Sequence, residues 1–311
     1  MPPNPALRAI VDLRQLSLQK SRLAFNNRVK AIEDGRDNAS PDTAELLARW
    51  RERFETLEKE ADRDIARFVA DTPIVQHMIE IKGIAELLAA KLICMIDIEK
   101  APTVSALWKY SGYGQGEYWQ DAEGKIVAPV KGYQWKVKAD KTKEKVLVVV
   151  DPKPDWIKVT ARDRPIEGFM LSYNRRIKTT VYLIASQFLR VADSPYAPLY
   201  AEAYETYLRV HPEWGRCDTC GVLTLAECSD PVLHRSPEHR QKRKGGKYLG
   251  WKTDHINLSA MRKMGKVFLA HLWERWRKLE GLPTPDLYVL EKMGHTHYLA
   301  PEDFGWPPFE K

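Results

Sequence analysis

Residues 79 to 97, IEIKGIAELLAAKLICMID, decide the fold of the central part of the chain. Two apolar runs meet at Lys82-Gly83, and this pattern predicts two helices joined by a tight turn. Such a turn leaves backbone N–H groups and the positive end of the second helix free, which suits a phosphate. A glycine between helices is also an ordinary turn, so both interpretations stay open. The predicted phosphate-binding residues are Lys82, Gly83, Ile84, Ala85 and Lys91.

This stretch is a candidate for the helix-hairpin-helix motif. The motif usually places two glycines around one apolar residue, and the corresponding positions here are Gly83, Ile84 and Ala85. Alanine adds only a methyl group where the second glycine is usual. The methyl hampers the close approach of a phosphate to the backbone but does not exclude it.

Two long amphipathic segments precede this stretch, at residues 6–34 and 41–69. Ser40-Pro41 predicts the start of the second helix, because serine caps a helix and proline fits its first turn. An apolar stripe at steps of three and four follows that helix through Trp50, Phe54, Leu57, Ala61, Ile65 and Phe68. The stripe either packs on the rest of the chain or pairs with another protomer. Pairing would make a homo-oligomer, a dimer or tetramer joined through the N-terminal helices.

The pattern changes between residues 112 and 165, where glycines, prolines, alternating aromatic and basic positions and the run KVLVVVD predict short strands. The predicted fold class is mainly α, with an N-terminal helical hairpin or coiled coil, a helix-hairpin-helix core, a small β-rich insertion and a zinc-binding loop. The predicted domains are 1–72 (hairpin), 73–213 with 251–285 (core, including the insertion 112–165), 214–250 (zinc loop) and 286–311 (extended tail).

The composition is that of a globular chain of 311 residues with a net charge of +7. It has no run of about 18 apolar residues that could span a bilayer and no signal-peptide pattern, so a cytosolic location and no membrane partner are expected. The basic balance is compatible with a polyanionic partner and also with an ordinary basic enzyme. The local clustering of charge has to decide between these classes.

Cysteines and histidines are concentrated in CDTCGVLTLAECSDPVLHRSPEHR, residues 217 to 240. Closely spaced thiolates with nearby imidazoles are typical of a structural, four-coordinate zinc site in a reducing compartment. Two cysteines with His234 and His239 match the spacing of a zinc finger, but Pro237 between the histidines disfavours its helix. The preferred ligands are Cys217, Cys220, Cys228 and His239 (or His234). Reduced thiols without a metal are the alternative.

Two stretches carry basic residues without acidic ones, and both are expected to contact a phosphate backbone. The first is RQKRKGGKYLGWK, residues 240 to 252, and the second opens the helix SYNRRIKTTVYLIASQFLR, residues 172 to 190. A solvated helix face usually mixes charges of both signs, so one-signed stretches with aromatic residues favour nucleic acid. The predicted contacts are Arg240, Lys242, Arg243, Lys244, Lys247, Asn174, Arg175, Arg176 and Lys178.

The order of these segments resembles the C-terminal domain of the IS-one-ten class of insertion-sequence transposases. The resemblance rests on IEIKGIAELLAAKLICMIDIEKAPTVSALWKYSGYG, then SYNRRIKTTVYLIASQFLR and SPYAPLYAEAYETYL, with LRQLSLQKSRLAFNNRVKAI similar to the family's coiled-coil linker. It covers residues 10–115 and 170–280. It implies DNA and structured RNA as partners, DNA transposition and recombination as the process, and a prokaryotic or phage origin.

The chain departs from that family at both of its catalytic features. The family's RuvC-like nuclease domain has no room ahead of residue 10, and residues 112–171 contain no serine where the resemblance implies a catalytic one. The candidates for a nucleophile are Ser111 and Ser172, each displaced from that position. Three hypotheses follow. The chain is a transposase-derived nucleic-acid-binding protein without catalysis, an active serine-type transposase or recombinase subunit, or an assembly protein that reuses the fold.

Overall fold

The computed structural model describes residues 4–138, 141–210, 253–285 and 299–309. This part of the chain is mainly α, as the sequence predicts. Its α-helices are α1 (Pro5–Asp12), α2 (Gln19–Glu33), α3 (Pro41–Val69), α4 (Pro73–Ile79), α5 (Glu86–Ile93), α6 (Val104–Tyr110), α7 (Arg175–Phe188), α8 (Ala197–Val210) and α9 (Thr253–Leu279). A π-helical segment, Leu13–Leu18, joins α1 to α2, and a 3-10 turn covers Pro301–Phe304.

Five strands lie inside the segment for which the sequence predicts short strands. They are β1 (Gln115–Gln120), β2 (Ile126–Pro129), β3 (Lys131–Val137), β4 (Lys143–Val149) and β5 (Ile157–Arg162). β1 is the central strand of an antiparallel sheet of order β2-β1-β5, and β3 pairs with β4 as a separate antiparallel ribbon.

Local capping explains where the N-terminal helices start. The Asn4 side chain accepts hydrogen bonds from the amides of Ala6 and Leu7, and Pro5 occupies the first turn of α1. The Ser40 hydroxyl accepts from the Thr43 amide, with Pro41 opening α3. In both cases a polar side chain pairs an amide that has no acceptor within its helix.

The chain divides into two compact units, and the division falls within α6, α7 and α9. The first unit contains residues 1–107, 174–180 and 272–311, and the second contains 108–173 and 181–271. The N-terminal helices share the first unit with α4 and α5, and the predicted domain boundaries stay a prediction. The described part of the predicted extended tail belongs to the first unit, where Phe304 and Trp306 are buried.

In the first unit, α3 packs along α2 and the π-helical segment. Glu58 is buried and accepts a hydrogen bond of 2.6 Å from Arg22 Nε, and Arg14 Nε donates to Asp62 at 2.8 Å. The apolar stripe of α3 is divided by burial. Ala61 and Ile65 are buried within the chain, whereas Trp50, Leu57 and Phe68 are between 41% and 44% exposed. Pairing of this exposed part with another protomer stays a prediction.

The second unit has a buried aromatic cluster formed by residues of α7, of α9 and of the segment before α8. The rings of Phe188 and Tyr196 stack at 4.5 Å between centroids, and Phe268 meets both edge-on. Arg262 donates to the carbonyls of Gly112 and Gly114 at 2.8 Å each, which fixes the segment leading into β1. β1 therefore begins next to a segment that two hydrogen bonds hold in place.

Candidate nucleic-acid interface

The predicted turn between α4 and α5 is present in the first unit. Gly83 has φ +101°, a conformation that favours glycine, so the turn depends on this residue. Lys82 and Ala85 are exposed and Ile84 is buried. The first backbone hydrogen bond of α5 runs from the Leu88 amide to the Ala85 carbonyl at 3.0 Å. The amides of Glu86 and Leu87 come before this bond in the chain, at the start of the helix. This is the amide arrangement that a phosphate would use.

Two charged residues reduce what this turn can contribute. Glu86 is exposed in the first turn of α5, where its carboxylate competes with a phosphate for the same end of the helix. Lys91 is buried, and burial together with the charge of Arg14 lowers its pKa. Lys91 therefore does not present its ammonium to solvent, which excludes it from the predicted phosphate contacts. A lysine inside an apolar run looks the same in sequence whether its ammonium faces solvent or the core.

The start of α7 also belongs to the first unit in part, and its predicted residues have different roles. Asn174 caps the helix, because its Oδ1 accepts from the Arg176 amide at 2.9 Å. The Arg176 guanidinium forms an ion pair with Asp12. Arg175 is exposed, whereas Lys178 is partly exposed. Asn174 and Arg176 thus serve the fold, and Arg175 is an exposed cation at this helix start that can face a phosphate.

The β3–β4 ribbon of the second unit carries an exposed cationic and aromatic face. Strand alternation places every second residue on one side, and the register pairs Tyr133 with Leu147 and Trp135 with Lys145. We call this side the exposed ribbon face. It consists of Lys131, Tyr133, Trp135, Val137, Lys143, Lys145, Leu147 and Val149, all of them exposed. None of the eight is acidic, and Trp135 is 57% exposed.

The opposite side of the ribbon carries the acidic residue Glu144 and packs against Phe169. Lys136 lies across from Glu144 in the register, and Glu144 pairs with Lys138 at 3.3 Å. Gly132 lies against the Phe169 ring, where an added Cβ would come within 2.6 Å of a ring carbon. The Met170 amide donates to the Tyr133 carbonyl at 2.7 Å. A two-stranded ribbon is only marginally stable alone, so these contacts hold it in place.

A cleft of about 490 Å³ lies beside the exposed ribbon face, entirely within the second unit. Lys131, Tyr133 and Lys145 belong to both the cleft and the ribbon face. Lys109 and Arg164, both exposed, also line it. Four cationic side chains and two acidic ones, Glu117 and Asp163, therefore surround a concave space whose apolar lining includes Phe169 and Met170.

A buried carboxylate shapes the floor of this cleft. The Tyr118 hydroxyl donates to Asp163 Oδ1 at 3.3 Å, and burial raises the pKa of Tyr118. Asp163 Oδ2 is buried and has no hydrogen-bond partner within the described residues. Added Cβ atoms on Gly114 and Gly116 would lie 3.1 and 3.0 Å from the carboxylate oxygens. The two glycines thus make room for Asp163 against the backbone.

The two serine candidates differ in accessibility. Ser111 is fully buried and its hydroxyl donates to the Trp108 carbonyl at 3.1 Å, so it is not accessible to a substrate. Ser172 is exposed and lines the cleft with Lys109, Lys131 and Arg164. Of the two, only Ser172 is placed where it could meet a phosphate.

Several predicted residues lie outside the described part of the chain. These are the zinc ligands Cys217, Cys220, Cys228, His234 and His239 and the basic stretch with Arg240, Lys242, Arg243, Lys244 and Lys247. Within residues 4–138, 141–210, 253–285 and 299–309, no three histidine, cysteine or acidic side chains are grouped to hold a metal. The predicted zinc site stays a prediction.

Comparisons with protein-family models, with curated proteins and with solved structures find no match for this chain. No helix within the described residues is long and apolar enough to cross a membrane. The sequence showed the alternating aromatic and basic residues of the ribbon, but only the strand register shows that they share an exposed side.

Proposed function

We propose that the protein is a transposase-derived nucleic-acid-binding protein without catalytic activity, acting on DNA or structured RNA. The observation that carries this proposal is the exposed ribbon face, with three lysines, two aromatic rings and no acidic residue. Phosphates attract such a face, and their neutralisation releases counterions from the nucleic acid. The turn at Gly83 and the exposed Arg175 of α7 offer further backbone contacts.

The charged residues of the exposed ribbon face are all positive. Residues 131–149 contain six lysines and two acidic residues, and the strand acid, Glu144, is on the side opposite to the exposed ribbon face. A ribbon that served only as a solvated surface would be expected to mix charges of both signs on its open side. The absence of acidic residues from the exposed ribbon face favours a polyanionic partner.

The test begins with the full chain purified without nuclease, followed by identification of any nucleic acid that co-purifies. Fluorescence anisotropy with labelled DNA and RNA oligonucleotides then gives the affinity at several salt concentrations. We expect binding that weakens steeply as salt rises. Feeble binding that is nearly independent of salt would overturn the proposal in favour of an assembly protein. Zinc measured by elemental analysis, and its loss in Cys217→Ser, tests the proposed structural zinc ion separately.

A second candidate function is an active serine-type recombinase subunit, and the position of Ser172 is the observation that favours it. Its exposed hydroxyl shares a cleft with four cations, which could stabilise the charge of a phosphoryl transfer. A strand-exchange assay on supercoiled DNA distinguishes the two functions. Activity that Ser172→Ala abolishes would support the recombinase, whereas activity unaffected by Ser172→Ala, or no activity at all, would exclude Ser172 as a nucleophile.

A further inference from the structure

We propose that the exposed ribbon face and the cleft beside it bind single-stranded nucleic acid, with an unpaired base stacked on Trp135 and a nucleotide of the same strand in the cleft. This inference rests on the proposed nucleic-acid-binding function and names the form of its ligand. Under this proposal the second unit binds unpaired segments of nucleic acid.

The aromatic rings of the ribbon suit unpaired bases. Trp135 is 57% exposed and lies in an open position of the strand, across from Lys145. In a duplex the faces of the bases are stacked on one another, so an indole on the protein surface gains little from it. In a single strand each base offers a face, and base stacking on aromatic side chains supplies much of the binding energy.

The arrangement of cations also suits a single strand. Lys145 Nζ lies 4.1 Å from the Tyr133 ring centroid, so this ammonium rests on an aromatic surface at the mouth of the cleft. Lys143 lies two residues before Lys145 in β4, about 7 Å from it by strand geometry. A flexible backbone can place successive phosphates against lysines spaced in this way while its bases reach the rings.

The cleft continues the ribbon face. Tyr133 and Lys145 belong to both surfaces, and Lys109 and Arg164 face the same cavity from outside the ribbon. Its volume, about 490 Å³, lies in the range typical of sites for small ligands. A strand that follows the ribbon face therefore meets a cavity in which four cations outnumber the two carboxylates, Glu117 and Asp163, and into which one nucleotide can turn.

A lipid surface is the main competing partner, because Val137, Leu147 and Val149 add exposed apolar area. Two of the cations that would attract an anionic bilayer, Lys109 and Arg164, instead line a concave cleft. A flat surface does not reach into such a space, whereas a flexible chain does. The concave placement of charge favours the nucleic-acid strand.

The test measures anisotropy with a labelled single strand and a duplex of the same length and sequence at one salt concentration. We expect the single strand to bind at least tenfold more tightly. Trp135→Ala should weaken single-strand binding about 5- to 150-fold, the range measured when stacking partners are replaced by alanine. Trp135→Phe keeps an aromatic face and should restore most of the affinity. The control is Trp50→Ala, which removes a similarly exposed indole from the first unit and should change neither affinity.

Each other outcome overturns a defined part of the account. Equal affinity for single strand and duplex, with both lowered by Trp135→Ala, would overturn the single-strand inference and leave the proposed function standing. Single-strand affinity unchanged in Trp135→Ala, with circular dichroism showing an intact fold, would overturn the assignment to the ribbon. Binding to phosphatidylserine vesicles without binding to either oligonucleotide would overturn both proposals.

Discussion

Neutralising Lys143 should lower the salt dependence of nucleic-acid binding by a predictable amount. The exposed ribbon face and the cleft together present five exposed cations, Lys109, Lys131, Lys143, Lys145 and Arg164. If each neutralises one phosphate of a single strand, the slope of log affinity against log salt is about −3.5, at about 0.7 per phosphate. Between about 50 and 200 mM salt the affinity then falls about 130-fold. With Lys143→Gln the slope becomes about −2.8 and the fall about 50-fold.

Lys136→Gln is the matched control for this measurement. Lys136 is an exposed lysine of the same ribbon, but strand alternation places it on the side opposite to Lys143. Anisotropy titrations at four salt concentrations should therefore give the parent slope for Lys136→Gln and a shallower one for Lys143→Gln. Equal changes in both variants would refute a one-sided interface, and a parent slope near zero would refute phosphate contact altogether.

Three further predictions concern residues that shape the two units. Lys91→Met removes a buried charge, so it should raise the free energy of unfolding by on the order of 1 kcal/mol and leave oligonucleotide affinity unchanged. A fall in affinity without a fall in stability would contradict this prediction. Burial lowers the pKa of His77, so the unfolded chain binds the proton more readily and the denaturant midpoint should fall as pH drops from 7.5 to 5. His77→Gln should make this decrease smaller, and a pH profile that is unchanged in the variant would contradict the prediction. Gly132→Ala should cost about 1–3 kcal/mol of stability because its Cβ meets the Phe169 ring, and Phe169→Leu in the same chain should recover part of the loss; two additive losses would contradict this contact.

Local features of the fold could be predicted from sequence, because the groups that decide them are neighbours in the chain. The start of α3 follows from Ser40-Pro41, and the turn at Gly83 follows from a glycine between apolar runs. The mainly α class follows from long segments with helical periodicity. In each case a capping bond or a backbone conformation acts within a few residues.

Features that depend on tertiary packing could not be predicted. Lys91 reads as a surface cation, but packing buries it near Arg14. Arg176 reads as a phosphate contact, but its partner, Asp12, is 164 residues away in sequence. Which side of the ribbon faces solvent depends on the packing of Gly132 against Phe169, and alternating residues alone do not predict that packing.

Photo-crosslinking gives the most direct test of the claim that the exposed ribbon face binds nucleic acid. A single-stranded oligonucleotide carrying 4-thiouracil or 5-bromouracil is irradiated with the full chain, and the attached peptides are identified by mass spectrometry. We predict crosslinks on Tyr133 or Trp135, within residues 132–136. Crosslinks confined to the turn at residues 82–86 or to residues 174–178, with none on the ribbon, would contradict the account.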